Sequence, residues 1–128
     1  MENILEAIKK LMGITDVDLN FDEEIIMHIN SVFMTLNQLG VGPTTVFKIS
    51  SREETWEDFT EGRLDLEAVK SYIYLKVRLL FDPPQNSFIL DSYNKLIQEH
   101  EWRLRLQVEP YTLTTEAEAE AEAEIENE

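Results

Sequence analysis

The sequence predicts an all-α protein: a small bundle of four to five helices with a long central helix, a proline elbow and a long C-terminal helix. Apolar residues recur at steps of three and four over most of the first 108 residues. One short stretch near 44–49 favours extended backbone, which is too little for a sheet. Glu and Ala alternate over 116–124, which predicts a disordered acidic tail. We therefore divide the chain into a helical domain, residues 1–110, and a tail, residues 111–128.

Glycines bound the first two predicted helices. Residues 2–12 place their apolar side chains on one side, and Gly13 follows where a left-handed residue commonly ends a helix. Asn20 and Glu23 have the spacing of a capping box at the start of the second helix, which ends before Gly40. Its apolar stripe is regular over five turns: Ile25, Ile26, Ile29, Val32, Phe33, Leu36 and Leu39.

The segment between the second helix and the central one combines an extended part with a short helix. A Gly-Pro pair at 42–43 indicates a turn, and the β-branched residues of 44–49 favour extended backbone. Ser50 or Ser51, each with a glutamate three positions later, predicts a capping box for a helix over 53–59.

The central helix begins after Asp65, a residue type that commonly caps helices. Pro83 has no N–H, and each proline of the Pro83-Pro84 pair pushes the preceding residue out of the α region, so the helix must stop near Phe81. A helix that is apolar on two faces is usually buried between partners. The two sets are Leu66, Val69, Ile73, Val77 and Leu80 on one face and Tyr72, Leu75 and Leu79 on the other.

After the proline break, Asn86 or Ser87 can cap a final helix that forms a rigid pair with the central one. Arg103 and Arg105 fall in its last turn, where cations interact favourably with the helix dipole. Pro110 marks the predicted end of the ordered chain. The apolar stripe of this helix is Ile89, Tyr93, Leu96, Ile97, His100 and Leu104.

Charge and composition narrow the classes of function. The formal net charge is −15, of which the seven glutamates between 116 and 128 contribute −7. The remaining acidic domain is poorly suited to bind phosphate by counterion release. The absence of cysteine excludes a disulfide framework, a thiolate zinc site and a Cys nucleophile. No apolar run approaches the roughly 18 residues of a membrane span, so we expect a soluble protein with no membrane partner.

Catalytic and metal chemistry have little support. The chain contains no Walker, G-x-S-x-G, H-E-x-x-H or EF-hand pattern, so we expect no enzyme activity and no cofactor. Glu24 and His28 are four residues apart and could share a metal ion, but metal sites usually have three or four ligands. A polar position beside the apolar stripe is the simpler interpretation. His100 is expected to be a half-buried packing residue of the last helix.

Aromatic residues of the two long helices are candidates for contacts between proteins. Trp102 lies off the main stripe, next to arginines, and is either a core tryptophan or an interface anchor. Trp and Arg dominate the residues that contribute most to binding at interfaces. The same two interpretations stay open for Tyr72, Tyr74 and Phe81.

A family resemblance is carried by residues 72–110, which read YIYLKVRLLFDPPQNSFILDSYNKLIQEHEWRLRLQVEP. This stretch closely resembles the C-terminal half of the head–tail connector proteins of tailed double-stranded-DNA bacteriophages, also called adaptor or head-completion proteins. The most characteristic blocks are LLFDPP and EWRL. In helix order, the resemblance covers residues 1–110.

The resemblance implies a structural virion protein that binds the portal protein once packaging ends. Such proteins assemble as a ring that extends the DNA channel and forms the docking platform for further head-completion (stopper) or tail proteins. DNA is expected to pass through without specific binding, because an acidic wall repels phosphate. The implied location is the head–tail interface of the virion, and the host cytoplasm during assembly. Candidate docking residues are Tyr74, Phe81, Asp82, Pro83, Pro84, Gln85, Asn86, Trp102, Arg103 and Arg105.

The residues alone leave a second class of function open, a small acidic binding or inhibitory protein that mimics nucleic acid and acts on a host or phage enzyme. A mimic should carry its acids as a regular array on the folded domain. Seven of the 26 acidic residues lie in the tail, which weakens this interpretation. The apolar helix faces, numerous for a chain of this size, predict protein partners instead, and the resemblance favours the connector.

Overall fold

The computed structural model describes residues 3–62 and 64–126, with side-chain surroundings for 3–62 and 64–107. This part of the chain forms five helices and no β-strand, so the predicted all-α bundle is confirmed. An isolated backbone bridge joins Asn3 to Thr55. The helices are α1 (Ile4–Leu11), α2 (Asp22–Gln38), α3 (Trp56–Thr60), α4 (Leu66–Phe81) and α5 (Ser87–Glu126).

Helix α4 begins and ends, and helix α5 begins, where the local sequence predicts. The Asp65 carboxylate accepts two backbone N–H groups of the first turn of α4. This helix ends at Phe81, because Asp82 leaves the helical conformation, with φ −146°, before the proline pair. The side chain of Asn86 accepts the N–H two residues later at 2.8 Å and so caps the first turn of α5.

The capping box predicted from Asn20 and Glu23 is wrong. Phe21 occupies the N-cap of α2, and no side chain caps this helix. Asn20 lies outside the helix and donates its backbone N–H to the carboxylate of Asp18 at 3.1 Å. The first turn of α2 contains three acidic residues, which interact favourably with the positive end of the helix dipole.

Helix α3 begins three residues later than predicted, and the capping boxes assigned to Ser50 and Ser51 are wrong. Thr55 and Asp58 form the capping box instead, with the Thr55 N–H donating to the Asp58 carboxylate at 2.9 Å. The Glu54 carboxylate turns back and accepts the N–H groups of both serines, at 2.6 and 3.1 Å. Glu54 therefore closes a loop before α3.

The backbone of α5 continues past Pro110, where the sequence predicts the end of the ordered chain. The Glu and Ala residues that alternate here have high intrinsic helix propensity. Side chains from residue 108 onward lie outside those described. The domain division at residue 110 and the disorder of the tail therefore stay predictions.

Helix α4 is the centre of the bundle, as predicted. It packs against α5, α2 and α1, and so contacts every other long helix of the bundle. Full burial of a side chain such as Val or Ile stabilises a fold by roughly 1.5–3 kcal/mol. Burial of the two apolar faces of α4 thus contributes most of the packing that joins the N-terminal helices to α5. Its buried side chains are Val69, Tyr72, Ile73, Leu75 and Val77.

The extended segment over 41–49 runs along α2 and is held by two asparagine side chains. The Asn30 amide exchanges two hydrogen bonds with the backbone of Ile49, at 2.8 and 2.9 Å. Two turns further along α2, the Asn37 amide donates to the Thr44 carbonyl at 3.2 Å. These amides take the place of a neighbouring strand, so the segment is ordered without a sheet.

A buried charge network fastens the connector between α1 and α2. The side chain of Lys9 is 1% exposed, and its Nζ lies 2.8 Å from Asp22 Oδ1. The same ammonium donates to the Asp18 carbonyl at 2.7 Å. Arg52 adds a second cation, 3.4 Å from both Asp22 and Glu6. Sequence reasoning gave these residues no role, because their partners are distant along the chain.

Candidate functional site

The predicted proline elbow is an exposed loop that joins α4 to α5. Asp82, Pro83, Gln85 and Asn86 are exposed, and Pro84 is half-buried. The turn is tied to the last turn of α4, because a guanidinium N–H from that helix donates to the Asp82 carbonyl at 3.3 Å. The five predicted docking residues of the elbow therefore lie together on one surface.

A cluster of polar aromatic side chains supports the elbow. The guanidinium of Arg78 donates to the Tyr74 hydroxyl at 3.1 Å, and this hydrogen bond raises the pKa of Arg78. Partial burial and the Tyr74 hydroxyl raise the pKa of Tyr93, on α5. Tyr74 is half-buried within this cluster. The structure thus gives Tyr74 a positioning role beneath the elbow.

Phe81, the last residue of α4, packs against aromatic residues of its own chain. Its ring meets Phe21 edge-on at 5.4 Å between centroids and lies 6.4 Å from His28. Phe81 is half-buried, whereas Phe21 is 42% and Leu80 is 50% exposed. The end of the molecule near the elbow therefore presents apolar side chains to solvent around a packed aromatic contact.

The inner face of α5 packs against α4. Ile97 and Leu104 are buried there, and the Tyr72 hydroxyl donates to the Glu101 carboxylate at 2.8 Å. Burial, then this hydrogen bond and the Glu101 charge, raise the pKa of Tyr72 above its usual range. The predicted stripe is only partly buried, since Ile89 and Leu96 are 45% and 42% exposed. A single neighbouring helix covers a narrower stripe than the sequence suggests.

The outer face of α5 points away from α4 and carries large exposed apolar side chains. Phe88, Lys95 and Trp102 are seven residues apart, so they share one face of the helix. Phe88 is 81% and Trp102 is 63% exposed. Trp102 is therefore not a core tryptophan. Phe88 was not singled out from the sequence, although it precedes Lys95 by seven residues and Trp102 by twice that spacing. We define the outer face as Phe88, Lys95, Trp102, Arg105 and Leu106.

The arginines of the last predicted turn differ in their contacts. Arg103 forms an ion pair with Glu99, one turn earlier on α5. Arg105 and Lys95 are exposed, and neither makes an ion pair or side-chain hydrogen bond among the described residues. The outer face thus combines exposed apolar surface with two cations that one copy leaves unpaired.

The two halves of the domain differ sharply in charge. Residues 1–65 contain five basic and 13 acidic side chains, a net charge of −8, whereas residues 66–107 contain six basic and five acidic, a net charge of +1. Four exposed acids surround α3, and we call them the acidic patch. None of them makes an ion pair within the described part of the chain. The patch consists of Glu53, Glu57, Asp58 and Glu61, with Asp58 in the capping box.

The Glu24–His28 pair exists, with 3.5 Å between His28 Nε2 and Glu24 Oε1. Within residues 3–62 and 64–107, no group of three or more His, Cys, Asp or Glu side chains is placed to hold a metal ion. The same residues include no helix with the length and hydrophobicity of a membrane span.

Comparison with protein-family models matches residues 4–111 to the family described as phage connector protein. The match extends from the first residue of α1 into α5 and includes the elbow and the outer face. Searches of curated proteins and of solved structures found no match. Because the family model covers most of the sequence and agrees with the resemblance in residues 72–110, the chain belongs to the phage connector protein family.

Proposed function

We propose that the protein is a head–tail connector of the adaptor type. It binds the portal vertex after DNA packaging, assembles as a ring that extends the DNA channel, and forms the docking platform for further head-completion (stopper) or tail proteins. Family membership supports the general connector role between phage head and tail. The proposed role is structural, and its location is the head–tail interface of the virion, reached from the host cytoplasm.

The observation that carries this proposal is the outer face of α5. Phe88 and Trp102 are more than half exposed and lie on the same face of the helix. Trp102 and Leu106, one turn apart on this face, are both exposed, and adjacent exposed apolar side chains mark interaction sites in soluble proteins. Trp and Arg are also enriched among the residues that contribute most to binding. The outer face is therefore suited to be covered by another protein.

The elbow supplies a second docking element. Its residues are exposed, while Tyr74 and Arg78 fix it to α4 from below. A loop that is already held in one conformation loses less conformational entropy on binding. We infer that residues 82–86 and the C-terminal part of the outer face serve contacts with the portal, with tail-side proteins or with neighbouring subunits.

The acidity of the chain fits a channel through which DNA moves. A surface of the same sign as the phosphate backbone gives no favourable counterion release, so DNA slides without specific binding. A nucleic-acid mimic is the alternative that the acid excess suggests. The α4–α5 pair, with its net charge of +1 over residues 66–107, interrupts the acid array that a mimic requires. The charge distribution therefore favours a connector over a nucleic-acid mimic.

Native mass spectrometry tests the proposal, with the protein alone and mixed with the portal protein of the same phage. We expect several copies to bind one portal ring. Trp102→Ala should weaken this binding, and Val17→Ala is the matched control because Val17 is 82% exposed outside the outer face. A chain that stays monomeric and binds no portal, stopper or tail protein would refute the proposal.

A further inference from the structure

We propose that the C-terminal part of the outer face of α5 docks on the acidic patch of a second copy, and that this pair of surfaces is the contact between subunits of the ring. The inference rests on the proposed ring and assigns its two surfaces. The relevant residues are Trp102, Arg105 and Leu106 in one copy and Glu53, Glu57 and Glu61 in the next.

Charge complementarity favours a second copy as the occupant. Arg105 makes no ion pair or side-chain hydrogen bond in one copy, and neither do the carboxylates of Glu57 and Glu61, within the residues that the structure describes. Each surface thus carries the charge that the other lacks. Opposite charges that face each other across an interface steer association and fix its register. Trp102, 63% exposed beside Arg105, adds the apolar anchor.

The two surfaces lie at the same level along α4. Helix α3 meets the start of α4, where the Lys70 ammonium lies 5.7 Å from the Trp56 ring centroid. The C-terminal part of the outer face meets the same end, because the Asp65 N–H donates to Gln107 at 2.9 Å. Both surfaces are therefore near the N-terminal end of α4.

The two surfaces also lie on different sides of α4. Tyr72 faces α5, as its hydrogen bond to Glu101 shows. Lys70, which contacts α3, precedes it by two residues and so lies about 200° around the helix. A closed ring repeats each subunit by rotation without a rise along the axis, so its complementary surfaces must lie at one level along that axis and on opposite sides of the subunit. We therefore place α4 parallel to the ring axis. The acidic patch and the outer face meet this requirement.

A charge swap tests the assignment. Arg105→Glu alone, and Glu57→Arg with Glu61→Arg, should each lower the apparent association constant of the ring on the portal by about tenfold or more. The chain that carries all three substitutions should assemble within about threefold of wild type, because both charges are reversed together. Lys48→Glu is the control, since it changes the net charge as Arg105→Glu does but lies outside both surfaces.

The possible results separate this inference from the proposed function. If the wild type assembles and Arg105→Glu behaves like Lys48→Glu, the assignment is wrong while the ring stands. Failure of the triple variant to recover assembly that each reversal lowers also overturns the assignment. A wild type that neither self-associates nor binds the portal refutes the proposed function itself.

Cross-linking gives a second readout that does not depend on reversed charges. The natural chain has no cysteine, so Glu57→Cys and Arg105→Cys give two single-cysteine chains. When these are mixed and treated with a short bismaleimide, every covalent dimer joins two copies. We expect more dimer from the mixture than from either variant alone or from Lys48→Cys mixed with Arg105→Cys. Equal yields would overturn the assignment.

Discussion

Replacing Lys9 by Met should destabilise the fold more than any other single charge removal in the first half of the chain. Met keeps the length of the aliphatic side chain but removes the ammonium that lies 2.8 Å from Asp22 Oδ1 and donates to the Asp18 carbonyl. The contact between the Lys9 ammonium and Asp22 Oδ1 does not have the angles of a hydrogen bond, so it is an ion pair. The hydrogen bond of this ammonium is the one to the Asp18 carbonyl.

The magnitude follows from burial. The Lys9 side chain is 1% exposed, and removing one partner of a buried ion pair typically costs about 3–5 kcal/mol. Arg52, 3.4 Å from the Asp22 carboxylate, still compensates part of the charge, so we expect about 3 kcal/mol. That is a large share of the roughly 5–15 kcal/mol by which a domain is stable.

Urea denaturation followed by circular dichroism measures this loss as a lower midpoint at unchanged m-value. Lys10→Met is the matched control, because Lys10 is the next residue and is exposed, and it should change the free energy of unfolding by less than about 0.5 kcal/mol. A double-mutant cycle with Asp22→Ala should give a coupling energy above about 1 kcal/mol. A loss below about 1 kcal/mol in Lys9→Met, or no coupling to Asp22, would contradict the reasoning.

Three further outcomes are expected. Tyr72→Phe removes a partly buried hydrogen bond to a carboxylate and should lower the free energy of unfolding by about 1.5–3 kcal/mol in the same urea assay. A loss under about 0.5 kcal/mol would be inconsistent with that bond. Pro83→Ala with Pro84→Ala should leave helix content by circular dichroism nearly intact but weaken assembly on the portal, and unchanged incorporation into phage particles would mean that the prolines only end a helix. Although burial opposes it, the N–H groups of two serines hold the pKa of Glu54 below its ordinary 4.5, so Glu54→Gln should lose stability at pH 6 relative to wild type. This stabilisation is present above the pKa that Glu54 has in the unfolded chain, and it is lost as the pH falls through the lower pKa of the folded state. The difference between the urea midpoints of wild type and Glu54→Gln should therefore shrink below about pH 4.5. A difference that stays constant down to about pH 3 would contradict this linkage.

Local signals in the sequence were sufficient for the helices. The three-and-four spacing of apolar residues identified every long helix, and the caps at Asp65 and Asn86 were predicted correctly. The capping boxes predicted for α2 and α3 were wrong. The capping box at Asn20 was wrong because a side chain within reach, that of Asp18, competes for its backbone N–H. Such competition depends on the path of the connector, which local spacing does not encode.

Long-range contacts and the exposed face were harder to predict. Lys9, Asp22 and Arg52 are far apart in sequence, and each alone has the signature of a solvated charge. For Trp102, the sequence left core and interface open, because apolar spacing does not say which face of α5 meets α4. Phe88 was missed for the same reason. The structure decides both, since α4 covers only the face that includes Ile97 and Leu104.

The packing of α5 against a single neighbour has a consequence for its dynamics. Its outer half is in contact with water from Phe88 to Leu106, so fewer apolar contacts oppose the transient opening of its backbone. Segments of this kind exchange amide hydrogens through local opening at lower free energy than a core helix. When another subunit covers that half, the opening must also break the new contact, and exchange along α5 slows. In the proposed ring, helix α5 of each subunit would thus become more rigid than in the free chain.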